Sequence, residues 1–363
     1  MMSGLEGIIA AETALSDVDG EAGRLIIRGR TVEELVARFR HEDVLALLWE
    51  SLFPEPAVTV RLDEALGSAR QRVFALLRTS DAQIGELQPV DALRSLLGRL
   101  TDGSNLTAAL SLVAAPAVLT PAVIRLRRGL EPIPPDPALP HAADMLRMLS
   151  GHAAGSAQIA ALDRYLVSAA DHGLNASTFT ARVIASTGAG LTSALVGALC
   201  ALKGPLHGGA PGPVLDMLDA IGQPEAAKPW LDAALARGDR LMGFGHRIYR
   251  VRDPRADAIK GALEMLARAG GLDPARLRLA EAVEQAAIEV LARHKPGRPL
   301  QTNLEFYTAL LLEALGFPRE AFTCVFAAGR AGGWVAHARE QALRGRLIRP
   351  LSRYIGPQVS EAA

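Results

Sequence analysis

Cysteine, lysine and net charge are all scarce in this chain, and each shortage removes a class of explanation. Two cysteines in 363 residues, Cys200 and Cys324, make neither a disulfide framework nor a thiolate metal site. Both sit in apolar stretches of helical pattern and are expected to be small buried hydrophobes. The formal net charge is zero, so no global field draws the chain to nucleic acid or to an anionic membrane. Only four residues are lysine, against 35 arginines, so a lone arginine is weak evidence for an anion site and only arginines placed by a motif count. The start, MMSGLEGIIAAETAL, has no basic region ahead of an apolar core, which makes a secretory leader unexpected and the cytoplasm the default.

Two uncharged runs, Gly103 to Ile124 and Val183 to Leu202, have about the length of a membrane span. The first carries Pro116 and Pro121, and the second is dominated by Gly, Ala, Ser and Thr. Such residues favour burial among other helices, or at a subunit interface, over contact with lipid.

A hydrophobic fraction of 49% with 21% charged residues fits a large core, and the length allows two domains or one domain carrying an insertion. Turn residues followed by a short alternating run, Ser16 to Arg30, predict a hairpin. From Thr31, which opens a capping box with Glu34, the pattern is helical. Helices are expected at His41–Leu52, Val60–Arg78 and Pro89–Leu100. The proline-dense GLEPIPPDPALP is read as a surface excursion. One long helix, interrupted near Asp171-His172-Gly173, is expected from Ile159 to Ala185. A Gly/Pro cluster at Gly204–Pro213 precedes helices at Val214–Ile221, Ala226–Arg237, Pro254–Ala269, Pro274–His294, Leu304–Leu315 and Pro318–Leu343. No strand is predicted beyond the hairpin, and no repeat is visible. The class is all-α.

The stretch that concentrates chemistry is LMGFGHRIYRVRDPRA, Leu241 to Ala256. His246 falls in a turn between glycines and a basic segment. Asp253 and Pro254 read as the N-cap and first position of a helix, which puts Arg255 in the first turn, where free N–H groups favour an anion. A proton donor and an anion clamp thus lie within ten residues. Such a pair can hold a carboxylate while a neighbouring oxygen is protonated.

The motif from Gly243 to Arg255 closely resembles the signature of the citrate synthase family, and four further segments resemble that family in order. Leu206-His207-Gly208-Gly209-Ala210 is similar to the loop whose histidine meets the thioester carbonyl. Independently, a histidine near N–H groups tends to stay neutral and to donate to a developing enolate. Asp171-His172-Gly173-Leu174-Asn175-Ala176-Ser177-Thr178 resembles the segment that binds a substrate carboxylate or keto oxygen. Asn303-Leu304-Glu305-Phe306-Tyr307 matches the segment carrying the base, with Glu305 where the family usually has Asp. Arg330, before Gly332-Gly333-Trp334, lies in a stretch too apolar for a free charge. Arg349, before Pro350, resembles the arginine given to a neighbouring subunit.

The resemblance implies a two-domain helical fold. Residues 1–209 and 317–363 would form the large domain, and 210–316 an inserted small one that closes over the site. It also implies a synthase of the Si type, condensing acetyl-CoA with oxaloacetate to give citrate and CoA. His207, His246 and Glu305 would be catalytic. His172, Arg255, Arg330 and Arg349 would hold oxaloacetate, and the homodimer partner would supply Arg349. Leu241, Gly243, Phe244, Gly245, Arg247 and Asn303 would line the CoA site. Neither a metal nor any other cofactor is expected. Pro211 and Thr302 depart from the family pattern, as does Glu305, whose extra methylene could misplace the carboxylate by about 1 Å. Three alternatives are a 2-methylcitrate synthase using propionyl-CoA, a regulator that binds CoA or dicarboxylate without catalysis, and a histidine-ligated metal hydrolase.

Overall fold

Residues 16–31 form the sheet predicted at the start of the chain. In the computed structural model, which describes residues 5, 7–54, 61–79, 82–208, 211–297 and 300–357, it has three antiparallel strands: β1 (Ser16–Asp19), β2 (Arg24–Ile27) and β3 (Arg30–Thr31). Val18 pairs with Leu25 and Ile26 with Thr31, so Leu25 and Ile27 share the face turned into the core. Val60, Gly209 and Ala210 lie outside the described residues.

Fifteen α-helices follow among the described residues. They are α1 (Val32–Arg38), α2 (His41–Trp49), α3 (Leu62–Phe74), α4 (Pro89–Leu97), α5 (Leu106–Arg127), α6 (His141–Ser150), α7 (Ser156–Ala169) and α8 (Ala176–Ala185). The rest are α9 (Leu191–Leu202), α10 (Pro211–Ile221), α11 (Ala227–Ala236), α12 (Pro254–Arg268), α13 (Pro274–His294), α14 (Leu304–Ala314) and α15 (Phe322–Arg344). The predicted caps are in place: Thr31 Oγ1 accepts the Glu34 amide at 3.3 Å, and Asp253 Oδ1 accepts that of Arg255 at 3.0 Å.

α5 runs unbroken through Pro116 and Pro121. By length and composition it could cross a membrane, yet 83% of its apolar window is buried inside the protein. A helix surrounded by other helices is apolar on every side for the same reason as one in lipid. The second uncharged run is two helices, α8 and α9, separated by a turn that ends at Gly190. That break corrects the picture of a span-length element. Cys324 is buried as expected, but Cys200 is exposed, because it falls on the outer face near the end of α9. Apolar composition alone does not say which side of a helix faces inward.

The core forms two clusters. One gathers β2, the helices from α1 to α5, α8, α9 and one face of α15. The other gathers α6, α7 and the helices from α10 to α14, with the first turns of α15 against them. The 211–316 segment therefore builds its core together with α6 and α7, and α15 belongs to both clusters. The turn between α7 and α8 carries His172, and the chain between α11 and α12 carries His246.

Candidate active site

Two short backbone segments tie the candidate site residues together. Phe244 forms an antiparallel bridge with Thr302, a pairing the sequence did not announce. Gly245 N–H donates to the Gln301 carbonyl at 2.7 Å, and Asn303 N–H to that of Gly243 at 3.0 Å. Gly243 and Gly245 both have positive φ, +86° and +83°, and a methyl on either would press on Phe306 or Leu300. Asn303 completes the brace: its Nδ2 donates to the Gly245 carbonyl at 2.9 Å while its Oδ1 caps α14 at the Glu305 amide, 3.1 Å. His246, one residue beyond Gly245, is thereby tied to the helix start that carries Glu305.

Asp253 makes the second tie. Its carboxylate caps α12, accepts Arg255 Nε at 3.0 Å and Nη2 at 2.7 Å, and takes the Leu304 amide at 3.3 Å. Arg255 thus does sit in the first turn of α12, but the anion its inner edge holds is Asp253. Both side chains are buried, and the carboxylate raises the guanidinium's affinity for its proton against the opposing effect of burial. The pairing was not anticipated, since Asp253 was read only as a cap.

The three histidines are fixed in different ways. His246 Nδ1 accepts the amides of Ile248 at 3.1 Å and Tyr249 at 3.2 Å, so its proton lies on Nε2. His207 Nε2 accepts the Ser177 amide at 3.3 Å and lies 2.8 Å from the Ser177 hydroxyl, which places its proton on Nδ1. His172 Nε2 lies 3.1 Å from the Tyr249 hydroxyl, and its ring meets that of His246 edge-on with centroids 5.3 Å apart.

Burial is the main reason all three resist protonation: His207 and His246 are each lowered to about 4 and His172 well below its usual value. Arg330 adds to this at His207, and Arg255 at His246 and His172. At neutral pH the site therefore presents two uncharged imidazoles with opposite tautomers, each with one N–H to donate.

Glu305 is half-buried, and its carboxyl is held above the ordinary value, chiefly by desolvation; Arg255 and Arg330 oppose the shift. Arg330 is buried, and its Nε donates to the Ala169 carbonyl while its Cζ lies 4.9 Å from the Phe326 ring centroid. Among the described residues it makes no ion pair, and burial lowers it to about 10. A guanidinium this deep is costly without an anionic partner, which makes Arg330 a candidate for holding an anion. It acts electrostatically on His172, His207 and Glu305, and Arg255 acts on His172, His246 and Glu305.

Leu241 and Phe244 are buried, Phe244 against Phe306 at 5.1 Å, so only their backbone is left to face a ligand. Arg247 is exposed. Arg349 is exposed in the segment after α15 and is not gathered with the others. Four residues that sequence reasoning gave no site role belong to this neighbourhood: Tyr249, Asp253, Ser177 and Tyr165. The first three stood inside quoted motifs. Tyr165 carried no signal, and its buried hydroxyl has no partner among the described residues and lies in the field of Arg330, Glu305 and Arg255. Among the described residues, no three His, Cys, Asp or Glu side chains converge as a metal-ligand set.

Comparison with known proteins identifies the family. The family model described as citrate synthase, C-terminal domain, matches residues 4–351. A Mycobacterium tuberculosis protein named putative citrate synthase 2 is 38% identical, over 98% of this chain and 92% of its own length. A 2-methylcitrate synthase of the same organism is 35% identical, over 97% and 90% respectively. The citrate synthase of Thermoplasma acidophilum, solved as a ternary complex with carboxymethyl coenzyme A and oxaloacetate, superposes with a TM-score of 0.85 at 26% identity, covering 98% of this chain and 96% of that one. With a family model spanning nearly the whole sequence and relatives matched end to end, this all-α chain belongs to the citrate synthase family.

Proposed function

We propose that the protein condenses acetyl-CoA with oxaloacetate and hydrolyses the resulting thioester, releasing citrate and CoA. The observation that carries this reading is the pair of neutral imidazoles, His207 and His246, with tautomers set by backbone amides, together with a buried guanidinium, Arg330, that makes no ion pair among the described residues. Glu305 removes a proton from the acyl methyl group. Its raised proton affinity brings it closer to the weakly acidic carbon than an exposed carboxylate would be. The His207 Nδ1–H stabilises the enol oxygen, and a neutral donor suits that task because its proton is not surrendered outright. His246 gives its Nε2 proton to the keto oxygen as the carbon–carbon bond forms, and His172 orients that oxygen. Water then cleaves the thioester and CoA leaves.

Arg330 and the outer edge of Arg255 hold the carboxylates of oxaloacetate. Arg349 is supplied to the site by the second subunit of a homodimer. CoA runs along the backbone of Leu241 to Gly245, beside Phe244, Arg247 and Asn303. No metal or prosthetic group takes part. The bond forms on the si face of the keto carbon, which the stereochemistry of labelled citrate would report. Residues 210–316 close as a small domain on the remainder, expelling water from the enol. The enzyme works in the cytoplasm.

The test is thiol release with each acyl-CoA, with and without oxaloacetate. The expected result is release that requires oxaloacetate and is faster with acetyl-CoA than with propionyl-CoA. Faster turnover of propionyl-CoA would make the protein a 2-methylcitrate synthase. Release that ignores the keto acid would mean a plain thioesterase, and tight binding without release a regulator.

A further inference from the structure

The N-terminal sheet has no part in the chemistry above, yet it touches both loops that carry the paired histidines. At one end of β1, the Ser16 hydroxyl donates to Asp171, the residue before His172, and accepts the Gly173 amide, the residue after it, at 3.2 Å. Two residues along, Val18 packs so closely on Gly173 that a methyl there would lie 3.3 Å from Val18 Cγ2. At the far end, Gly20 accepts the Arg250 amide at 2.9 Å. A methyl on Gly20 would overlap the carbonyl oxygen of Ile248, whose own amide is one of the two fixing His246. Gly23, closing the same turn, leaves only 2.6 Å between a would-be Cβ and Val251 Cγ2.

We infer that this hairpin is a brace that sets the spacing and orientation of His172 and His246, with Ser16 the positioning residue for one and Gly20 for the other. A strand is stiff along its length, so a rise of about 3.3 Å per residue turns four residues into a ruler between the two loops. At each end contact is made to backbone, the Gly173 amide at Ser16 and the Ile248 carbonyl and Arg250 amide at Gly20, and backbone atoms cannot rotate away as side chains do. Gly20 is required for close approach, because its φ is not in the left-handed region and any residue could adopt it. The groups facing His246 are Arg255 and Asp253 from α12, with His172 and Tyr249 at ring distance. None of these is on the hairpin, so the brace acts on position and not on charge.

The inference rests on the site proposed above, and its test separates the two. Gly20→Ala, Ser16→Ala and Gly29→Ala are compared by steady-state kinetics, thermal unfolding and the ring-nitrogen NMR signals of the histidines. Gly29 is the control: it lies in the same sheet with φ +79° and nothing within 4 Å of a would-be Cβ, so its substitution strains the sheet without touching either loop. Gly20→Ala should lower kcat about ten- to a hundredfold, as displacements near 1 Å do, and shift the His246 ring signals in the ligand-free protein. Ser16→Ala should raise KM for oxaloacetate and move the His172 signals instead. Gly29→Ala should lower the melting temperature and leave kcat and both sets of signals unchanged. If Gly20→Ala fails to fold, Ser16→Ala decides alone through the His172 signals. The brace is refuted if the histidine signals of the folded Gly20→Ala and Ser16→Ala proteins match wild type, or if all three variants lose activity only in proportion to stability. Wild-type protein that releases no CoA would sink the synthase reading, while the NMR comparison would still judge the brace.

Discussion

Two groups of histidines in this molecule, His207 and His246 part-buried and His41 and His141 fully buried, are all kept neutral by desolvation and differ in what fixes the ring. His207 and His246 each have one nitrogen pinned by a backbone amide. His41 and His141, at the starts of α2 and α6, stack at 5.4 Å with 26° between their planes, and all four of their ring nitrogens are buried without a partner among the described residues. Burial is the first cause that keeps both groups neutral, with His41 lowered to about 4 and His141 well below its usual value. Neutrality alone therefore marks neither as functional. What distinguishes the first group is that the N–H left over has one direction, and that a buried guanidinium acts on each ring, Arg330 on His207 and Arg255 on His246. The second group is anchored through its backbone: the His141 amide donates to Glu42 at 2.7 Å and that of His41 to Asp163 at 3.1 Å.

The comparison can be broken most sharply by exchanging the fates of the two groups. His246→Ala should cut oxaloacetate-dependent CoA release by about 10²–10⁴-fold, the usual worth of a positioned acid, while leaving the melting temperature within a few degrees. His141→Phe should do the reverse, preserving kcat and changing stability. If the two variants lose activity equally, the orientation argument is wrong.

Asp253→Ala tests the tie that serves the first group. It strands Arg255 without its partner and removes the cap from α12, and it should cost about 3–5 kcal/mol in denaturant unfolding, with activity falling in the fraction that remains folded. A loss below about 1 kcal/mol would mean that water reaches Arg255 freely.

Acid sharpens the contrast. A histidine in the unfolded chain takes up its proton as pH falls through about 6.5, whereas His41 resists until about 4. Between those values the unfolded state binds more protons, so stability declines as pH is lowered and levels off below the native value. Replacing both His41 and His141 with Phe should flatten that decline in equilibrium unfolding measured from pH 7 to 4. Activity on the acid side should fail for a different reason. Glu305 must be ionised and its proton affinity is raised, so the limb should lie above the ordinary carboxylate range and move in Glu305→Asp.

The smallest effect concerns Tyr165. Its hydroxyl is buried with no partner among the described residues, so Tyr165→Phe should stabilise the ligand-free protein by about 1 kcal/mol, read as a rise in unfolding midpoint. A drop would show that the hydroxyl has found a partner, with water or Glu305 the first to examine.

Much of the fold was legible because helix periodicity, capping residues and glycine stops act over a few neighbouring residues. The hairpin, the Asp253 cap and the break at His172 are local in this sense. The bridge between Phe244 and Thr302 was not, since a pairing between segments 58 residues apart leaves no local pattern. Cys200 was misplaced for a related reason: its helix is apolar nearly all round, so composition gave no inside. At the site, the motifs supplied His172, His207, His246, Glu305 and the arginines, but not their states. Arg255 was legible as a first-turn arginine, and its engagement by Asp253 was not.

The sequence by itself determined which residues are helical, where the helices stop, and which side chains are of the kind that moves protons or holds carboxylates. Those properties follow from side-chain chemistry and short-range backbone sterics. Only the tertiary structure decided which ring nitrogen carries each proton, that Arg330 has no carboxylate partner among the described residues, and that a β-hairpin touches both histidine loops. Tautomer, desolvation and spacing depend on what distant parts of the chain place within a few ångströms, and no local pattern encodes that.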